Sequence, residues 1–483
     1  MTPRCIKVDQ ESKGYCLIVL KALLTYRGLP VGAAVIGITL ISAWWFHGGH
    51  ESLLERLPGP DPTGLASGTN AVKLEGKLIK SDGVPSEMTG SWPRFRGLNL
   101  NGISPDRTPL ARAWAKDGPQ KLWTIEVGEG FASAAISKGR AFVIDYDRDK
   151  QADAIRCLSM NDGAEIWRFT YPSKVKQYHG MSRTIPAVTD KYLVALGPKC
   201  IATCLDPLTG EFKWMLDLVQ EFGVEVPEWY AGQCPLIEDG QLILGTGGEA
   251  LLVSIDCETG KTVWKSPNPL NWKMTHSSIT PVDFDGQRIY VYCASGGVAG
   301  IEAKDGALLW KTPDWNITMA NVPSPVSIGD GRLFFCGGYN AGSLMMKMVK
   351  NDQRIDVEAL FRLKATVFSS EQQTPILYKD HLFGVRQADK QLVCLDLNGK
   401  PVWTSGTAMR FGSGPCLIAQ DMIYILDDSG TLTLAEASVA SYKQLAQAKI
   451  LEGPDAWGPM ALAGGRLVLR DFRKMACVDI SQK

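Results

Sequence analysis

No two cysteines are adjacent anywhere in the 483-residue chain, and neither a C-x-x-C spacing nor a C-x-x-C-H run occurs. The spacings that bind structural zinc or attach a c-type haem are therefore missing. Histidines number five, and no third ligand can be named for any of them, so no metal site is expected. Neither sign of charge is in excess: 51 basic residues balance 51 acidic ones, which leaves no basic field for nucleic acid. Phosphate loops are absent too. GTGG at Gly245–Gly248 and SGGVAG at Ser295–Gly300 sit in strand-rich repeats with no helix to follow, and read as turns.

Glycine, at 49 residues, and tryptophan, at 14, are abundant, and they recur together. The phrase is a small or apolar residue, an acidic or polar one, a turn ending in glycine, and tryptophan four residues later. It is found at CLSMNDGAEIW, CLDPLTGEFKW, SIDCETGKTVW, GIEAKDGALLW and CLDLNGKPVW, which end on Trp167, Trp214, Trp264, Trp310 and Trp403. Their glycines are Gly163, Gly210, Gly260, Gly306 and Gly399. Short strands repeating at about 40–50 residues are the pattern of propeller blades. Between the phrases lie eight runs, from SAAISKGRAFVID to PMALAGGRLVLRD, in which apolar residues alternate on both sides of a polar turn. That is the form of an antiparallel hairpin with one face on a core.

The expected fold class is all-β: an eight-bladed β-propeller of four-stranded blades, with the five tryptophans docking blade on blade. Two units are worn. Phe361 stands in for the tryptophan after SPVSIGDGRLFFCG, and TLTLAEASVASYKQLAQAKIL has none. The last hairpin ends in CVDI, so its outermost strand has to come from elsewhere. KLWTIEV (Lys121–Val127) has the outer-strand pattern, and the N-terminal strand is expected to complete the C-terminal blade and remove the open edges.

LPVGAAVIGITLISAWWF (Leu29–Phe46) holds no charge over 18 residues. As a helix it spans about 27 Å, close to the roughly 30 Å of a bilayer core. Arg4, Lys7, Lys13, Lys21 and Arg27 outweigh Asp9 and Glu11 before it, and Trp44, Trp45 and Phe46 supply an aromatic belt after it. The organisation expected is a cytoplasmic N-terminal tail over 1–28, a transmembrane helix over 29–47, a flexible linker over 48–90 and the propeller over 91–483. A single-pass membrane protein follows, with its propeller in the periplasm or at the cell exterior. A long cleaved signal peptide is the alternative, although no A-x-A site follows the apolar run. LEGKLIK within the linker reads either as a short strand or as nothing ordered. Cys157, Cys204, Cys394 and Cys477 fall at equivalent repeat positions and read as small buried apolar residues, with a Cys200–Cys204 pairing left open.

The D-x-x-T-G-x-x-x-W form, complete at Asp206, Thr209, Gly210 and Trp214 and again at Asp256, Thr259, Gly260 and Trp264, resembles the tryptophan-docking repeat of the pyrroloquinoline quinone (PQQ)-type propellers. That family includes the quinoprotein alcohol dehydrogenases and the BamB envelope-assembly lipoproteins. The resemblance covers about Ser91 to Lys483. Ser159 and Glu302 depart from it at the aspartate position, Asp162 and Asp305 at the threonine, and the Asp396–Trp403 turn is one residue shorter. SWPRFRGLNLNGIS (Ser91–Ser104) resembles the segment that opens many membrane-associated or secreted PQQ-like propellers, notably in planctomycete-type bacteria. Trp92, Phe95 and Ile103 are expected to pack under the ring, with Arg94 and Arg96 paired to carboxylates.

The enzymes of that family use an aspartate base, a calcium ion, a tryptophan beneath the quinone and a ring of adjacent cysteines over it. This chain has no adjacent cysteines and no motif-matched calcium set, so the resemblance implies the fold without the catalysis. PQQ with calcium stays an option whose site motifs are missing, and no cofactor is the first expectation. Residues just before the eight hairpins should ring one mouth of the central channel: Phe131, His179, Arg183, Tyr230, Gln233, His276, Asn321, Gln372, Gln373, Arg410 and Trp457. Such a mixture suits a small ligand, and equally describes a hydrated channel mouth. The function expected is a membrane-anchored, extracytoplasmic, non-catalytic scaffold that binds a protein partner in envelope assembly. The alternative is a quinoprotein-like oxidoreductase or a carbohydrate-active enzyme working at the channel mouth.

Overall fold

The computed structural model describes residues 33–43, 74–176, 179–352 and 354–482. Two units are distinguished, Met1–Arg56 and Leu57–Lys483. In the first, residues 33–43 are helical and expose Val35, Ile36, Ile38, Leu40 and Ile41. Among the described residues no helix is long and apolar enough to cross a membrane. The remainder of the span predicted over 29–47, and the tail before it, lie outside the described residues.

Eight antiparallel sheets make up the second unit. Blades 1 to 7 occupy residues 135–172, 187–217, 236–267, 280–312, 326–363, 376–404 and 416–449. Blade 8 takes three strands from 461–479, and its fourth is Gln120–Glu126, paired antiparallel to Lys474–Asp479. The predicted closure is present. First strands touch between blades 1 and 2, 2 and 3, 4 and 5, 5 and 6, and 8 and 1, and buried apolar clusters join the other neighbours, so the ring is continuous.

One detail of register recurs in every blade. Where the third and fourth strands pair, a residue is skipped next to the docking position, and the side chain there faces a particular partner. Trp167 lies opposite Cys157, Trp214 opposite Cys204, Trp264 opposite Ser254, Trp310 opposite Gly300 and Trp403 opposite Cys394. A bulge twists its strand and re-aims a side chain. Here it turns the ring towards the next blade, and the small partner leaves room beneath it. That explains the repeat-position cysteines. They are buried and unpaired, and Cys200, in the turn before the strand Ile201–Leu205 that carries Cys204, is likewise free, so the two form no bridge.

The glycine of the phrase receives the indole of the preceding blade. A Cβ on Gly210, whose φ is +75°, would come within 2.6 Å of the Trp167 ring, and one on Gly260 within 2.8 Å of Trp214. The worn units follow the same plan. Phe361 takes the docking position of blade 5 opposite Met345 and lies against Gly399. In blade 7 Ala446 takes it, and Trp114, from the segment before the closing strand, packs on the same core cluster against Tyr424. Blade 8 has Trp123, opposite Cys477 and against Gly163.

Before the closing strand the chain crosses the underside of the ring. Trp92 forms an antiparallel bridge to Ile136 of blade 1, and the Pro93 carbonyl accepts from the Val188 N–H of blade 2 at 2.8 Å. Arg94 Nη1 donates to the Ile237 carbonyl of blade 3 at 3.1 Å. Ile103 bridges Ile418 of blade 7, and Asp106 accepts from the Gly464 N–H of blade 8. Arg96 does not meet a carboxylate, contrary to expectation. Its guanidinium donates to the carbonyls of Leu100, Asn101, Thr374 and Pro375 at 2.8–3.1 Å. The fork geometry of five donors suits carbonyls converging at the start of an inner strand. Burial pushes its pKa down to about 10, which leaves the group charged at neutral pH.

LEGKLIK resolves as a strand. Lys77–Lys80 pairs antiparallel with Trp167–Thr170 as a fifth strand on blade 1, and the chain stays bonded there through Ser81, Gly83 and Ser86. Leu78 reaches the turn at Gly210 and covers the Trp167 junction. Leu78→Asp should therefore lower stability by about 1–3 kcal/mol, through lost burial and an unpaired charge, in urea unfolding monitored by tryptophan fluorescence. An unchanged midpoint would show that the strap is not part of the folded ring.

Candidate functional site

The loops leading into the innermost strands meet above the crossing segment, around a cavity of about 80 Å³. Phe95, carried on that segment, forms part of its lining together with Phe131, Arg183, His276, Gln372, Gln373 and Trp457 from the loops. Six of the eleven residues picked from sequence are thus brought together. The others lie elsewhere. His179 stacks against Phe472 and stands edge-on to Phe131 and Trp457. Tyr230 is buried, with its hydroxyl donating to the Lys176 carbonyl at 2.6 Å. Gln233 is fully buried between blades 3 and 4, where Oε1 accepts from the Gly245 N–H at 2.7 Å and Nε2 donates to Tyr292 Oη. Asn321 is buried with neither side-chain atom paired, and Arg410 is exposed outside the cavity.

Strand parity explains the placement of Gln233 and Asn321. Extended backbone sends alternate residues to opposite sides, so Gly232 and Cys234 line the cavity while Gln233 points away. His276 and Ser278 do the same around Ser277, and Arg183 and Ile185 around Thr184, whose hydroxyl donates to Leu196 O at 2.6 Å. Val322 faces in where Asn321 does not. Missed from sequence were Phe95, Ile185, Gly232, Cys234, Ser278, Val322 and Pro459. A period of two counted inward from each loop would have found most of them. Phe95 had no such signal, since it arrives from another segment.

Aromatic rings close the mouth on one side. Phe131 and Trp457 stack at 5.2 Å with 18° between planes, and the Arg183 guanidinium lies 5.0 Å from the Phe131 centroid. These contacts are stabilising and fix ring positions. Trp457 Nε1 donates to Asp428 Oδ1 at 2.7 Å, and Gln373 Nε2 donates to the Trp457 carbonyl at 2.9 Å. Arg183 Nε donates to the Trp229 carbonyl at 2.5 Å and Nη2 to that of His179.

His276 is the titratable group of most interest. Desolvation, then the charge of Arg183, pull its pKa down to about 3 against a bond to the Tyr230 backbone. Its Nε2 is shielded from solvent and has no partner. The ring is therefore a neutral imidazole over the physiological range. Because the folded pKa is depressed, its contribution to stability is full above the unfolded value near 6.5 and is lost as pH falls towards 3. His276→Gln should flatten the acid side of the stability curve in that window, and ¹⁵N chemical shifts of His276 should stay those of a neutral ring at pH 5. A titration midpoint near 6.5 would contradict this burial.

No carboxylate lines the cavity, and among the described residues no group of three His, Cys, Asp or Glu side chains could hold a metal ion.

The sequence profile of the family described as the outer membrane protein assembly factor BamB matches residues 103–218 and 151–398. BamB from Moraxella catarrhalis superposes with a TM-score of 0.51 at 13% identity, over 74% of this chain and 99% of that one. The quinohemoprotein alcohol dehydrogenase of Comamonas testosteroni gives a TM-score of 0.41 at 12% identity, over 81% of each chain. No curated protein matches the sequence.

Proposed function

Because the chain belongs to the PQQ-like propeller family of the outer membrane protein assembly factor BamB, we propose that it is a non-catalytic protein-binding scaffold, held outside the cytoplasm by its apolar N-terminal run. One observation carries the reading: the channel is narrowed to about 80 Å³ between Phe95 and the Phe131–Trp457 stack. Pockets that hold cofactor-sized ligands are of the order of 300–1,000 Å³. PQQ with calcium does not fit these residues, since carboxylate oxygens for the ion are missing from the lining. The 18 uncharged residues from Leu29 to Phe46, and the positive residues before them, support the anchor and its orientation.

The test is a turnover assay on the full chain in detergent, with PQQ, calcium, primary alcohols or aldoses, and an artificial electron acceptor. No turnover is expected, and substrate-dependent reduction of the acceptor would overturn the scaffold reading. A second reading, an enzyme working at the mouth, is favoured by the unpartnered Nε2 of His276. It requires ligands that raise Tm in the native chain and fail to do so in His276→Gln.

A further inference from the structure

The segment that crosses the underside satisfies the ring unevenly. It contributes main-chain or arginine bonds to the inner strands, or the residues leading into them, of blades 1, 2, 3, 6 and 7. It skips two. The inner strands of blades 4 and 5, Thr280–Phe284 and Val326–Gly329, pair on one side with their own second strands. Among the described residues their other edges have no main-chain partner. At that gap lies a groove of about 1260 Å³, bounded by residues 94–101 of the crossing segment and by both edges.

Its floor carries charge that the fold leaves incompletely met. Arg94 Nε has no partner and no solvent exposure, and burial holds the pKa of the guanidinium down. Glu238, whose charge acts on Arg94, already accepts from Arg288 at 2.5 Å, and Asp239, Asp283 and Glu302, which also line the groove, make no hydrogen bond to Arg94. Arg96, beside it, spends all its described bonds on carbonyls. Lys304 lies on the rim, exposed.

We propose that this groove binds an extended polypeptide segment of a partner protein, which lies along the open edge of blade 4 or 5 and places an Asp or Glu side chain on Arg94. The proposal rests on the scaffold reading and gives it a surface. Unpaired strand edges are templates for strand addition, in which main-chain bonds give affinity and pockets select side chains. The crossing segment shows the mode within the same ring, since it bridges Ile136 and Ile418 by main-chain bonds. A groove of this volume accommodates a stretch of several residues, and Arg94 supplies a charge-assisted donor for a carboxylate.

The experiment pans a phage-displayed library of random octapeptides against the full chain in detergent, then measures Kd for the enriched sequences as synthetic peptides. Enriched peptides should carry an acidic residue, cross-link to a photoreactive group placed at Ser327, and bind Arg94→Gln about 10-fold or more weakly. N-methylation of alternate peptide amides should abolish binding, which tests strand addition without altering the protein. Peptides that tolerate both changes, or that cross-link only at Gln372 in the mouth, overturn the proposal. So does enrichment of nothing above the uncoated control, or a cross-link from Ser327 to residues 44–73 of the same chain. These failures leave the scaffold reading standing, whereas turnover in the redox assay removes it whatever the peptides do.

Discussion

Trp123→Ala should cost the ring about 3–5 kcal/mol, the range for emptying a buried indole site. Trp123 is 6% exposed, lies on the strand that closes blade 8, and donates from Nε1 to the Met160 carbonyl of blade 1 at 3.3 Å. It therefore holds both seams next to the point where the two ends of the ring meet. Losing it weakens the closure itself, and an opened closure exposes two strand edges at once. Trp403 is the internal control. It occupies the same docking position in blade 6, yet it is only partly buried, so Trp403→Ala should cost less. Urea midpoints of the two variants give the comparison. Equal losses, or a larger loss at Trp403, would mean that docking depends on something other than buried indole area.

Asp153→Asn should stabilise the protein at pH 8 and leave it almost unchanged at pH 4. Asp153 is fully buried in blade 1, and neither carboxylate oxygen finds a hydrogen-bond partner. Desolvation raises its pKa from 3.8 to about 7, while the hydroxyls of Ser173 and Tyr171 and the charge of Lys199 offset part of the rise. Those hydroxyls are near the carboxyl without meeting hydrogen-bond geometry. The folded state thus binds a proton more tightly than the unfolded chain. Stability from this group is present below about pH 4 and is lost as pH rises through about 7. A shift of that size corresponds to a penalty of roughly 4 kcal/mol at most above pH 7, and an isosteric amide avoids it. Thermal melts at both pH values decide the matter. A variant that is less stable at pH 8 would show that Asp153 is ionised and satisfied.

Much of the ring was legible because its turns are local. The polar turn of each hairpin and the glycine four residues before each tryptophan lie within a dozen residues, and every such unit forms where it was read. Closure by KLWTIEV was legible from counting, since three strands remained for the last blade. The docking role of Trp123 was not, because its partner strand lies some 350 residues away, and no glycine phrase precedes it. The mouth failed partly on parity: Gln233 and Asn321 have suitable side chains in the right loops but point away from the channel, while Tyr230, at a φ of +67°, turns its hydroxyl to the Lys176 carbonyl. The strand at Lys77–Lys80 was one of two readings of LEGKLIK. Its sequence is too short and too charged to decide locally, and pairing with blade 1 supplies what local preference does not.

The proposed scaffold role turns above all on whether the channel takes up a quinone cofactor. Isothermal titration of the full chain with PQQ in the presence of calcium addresses it without depending on substrate choice. No saturable heat is predicted, and Phe131→Ala should not create any. Stoichiometric, calcium-dependent binding in the native chain would contradict the scaffold reading at its root.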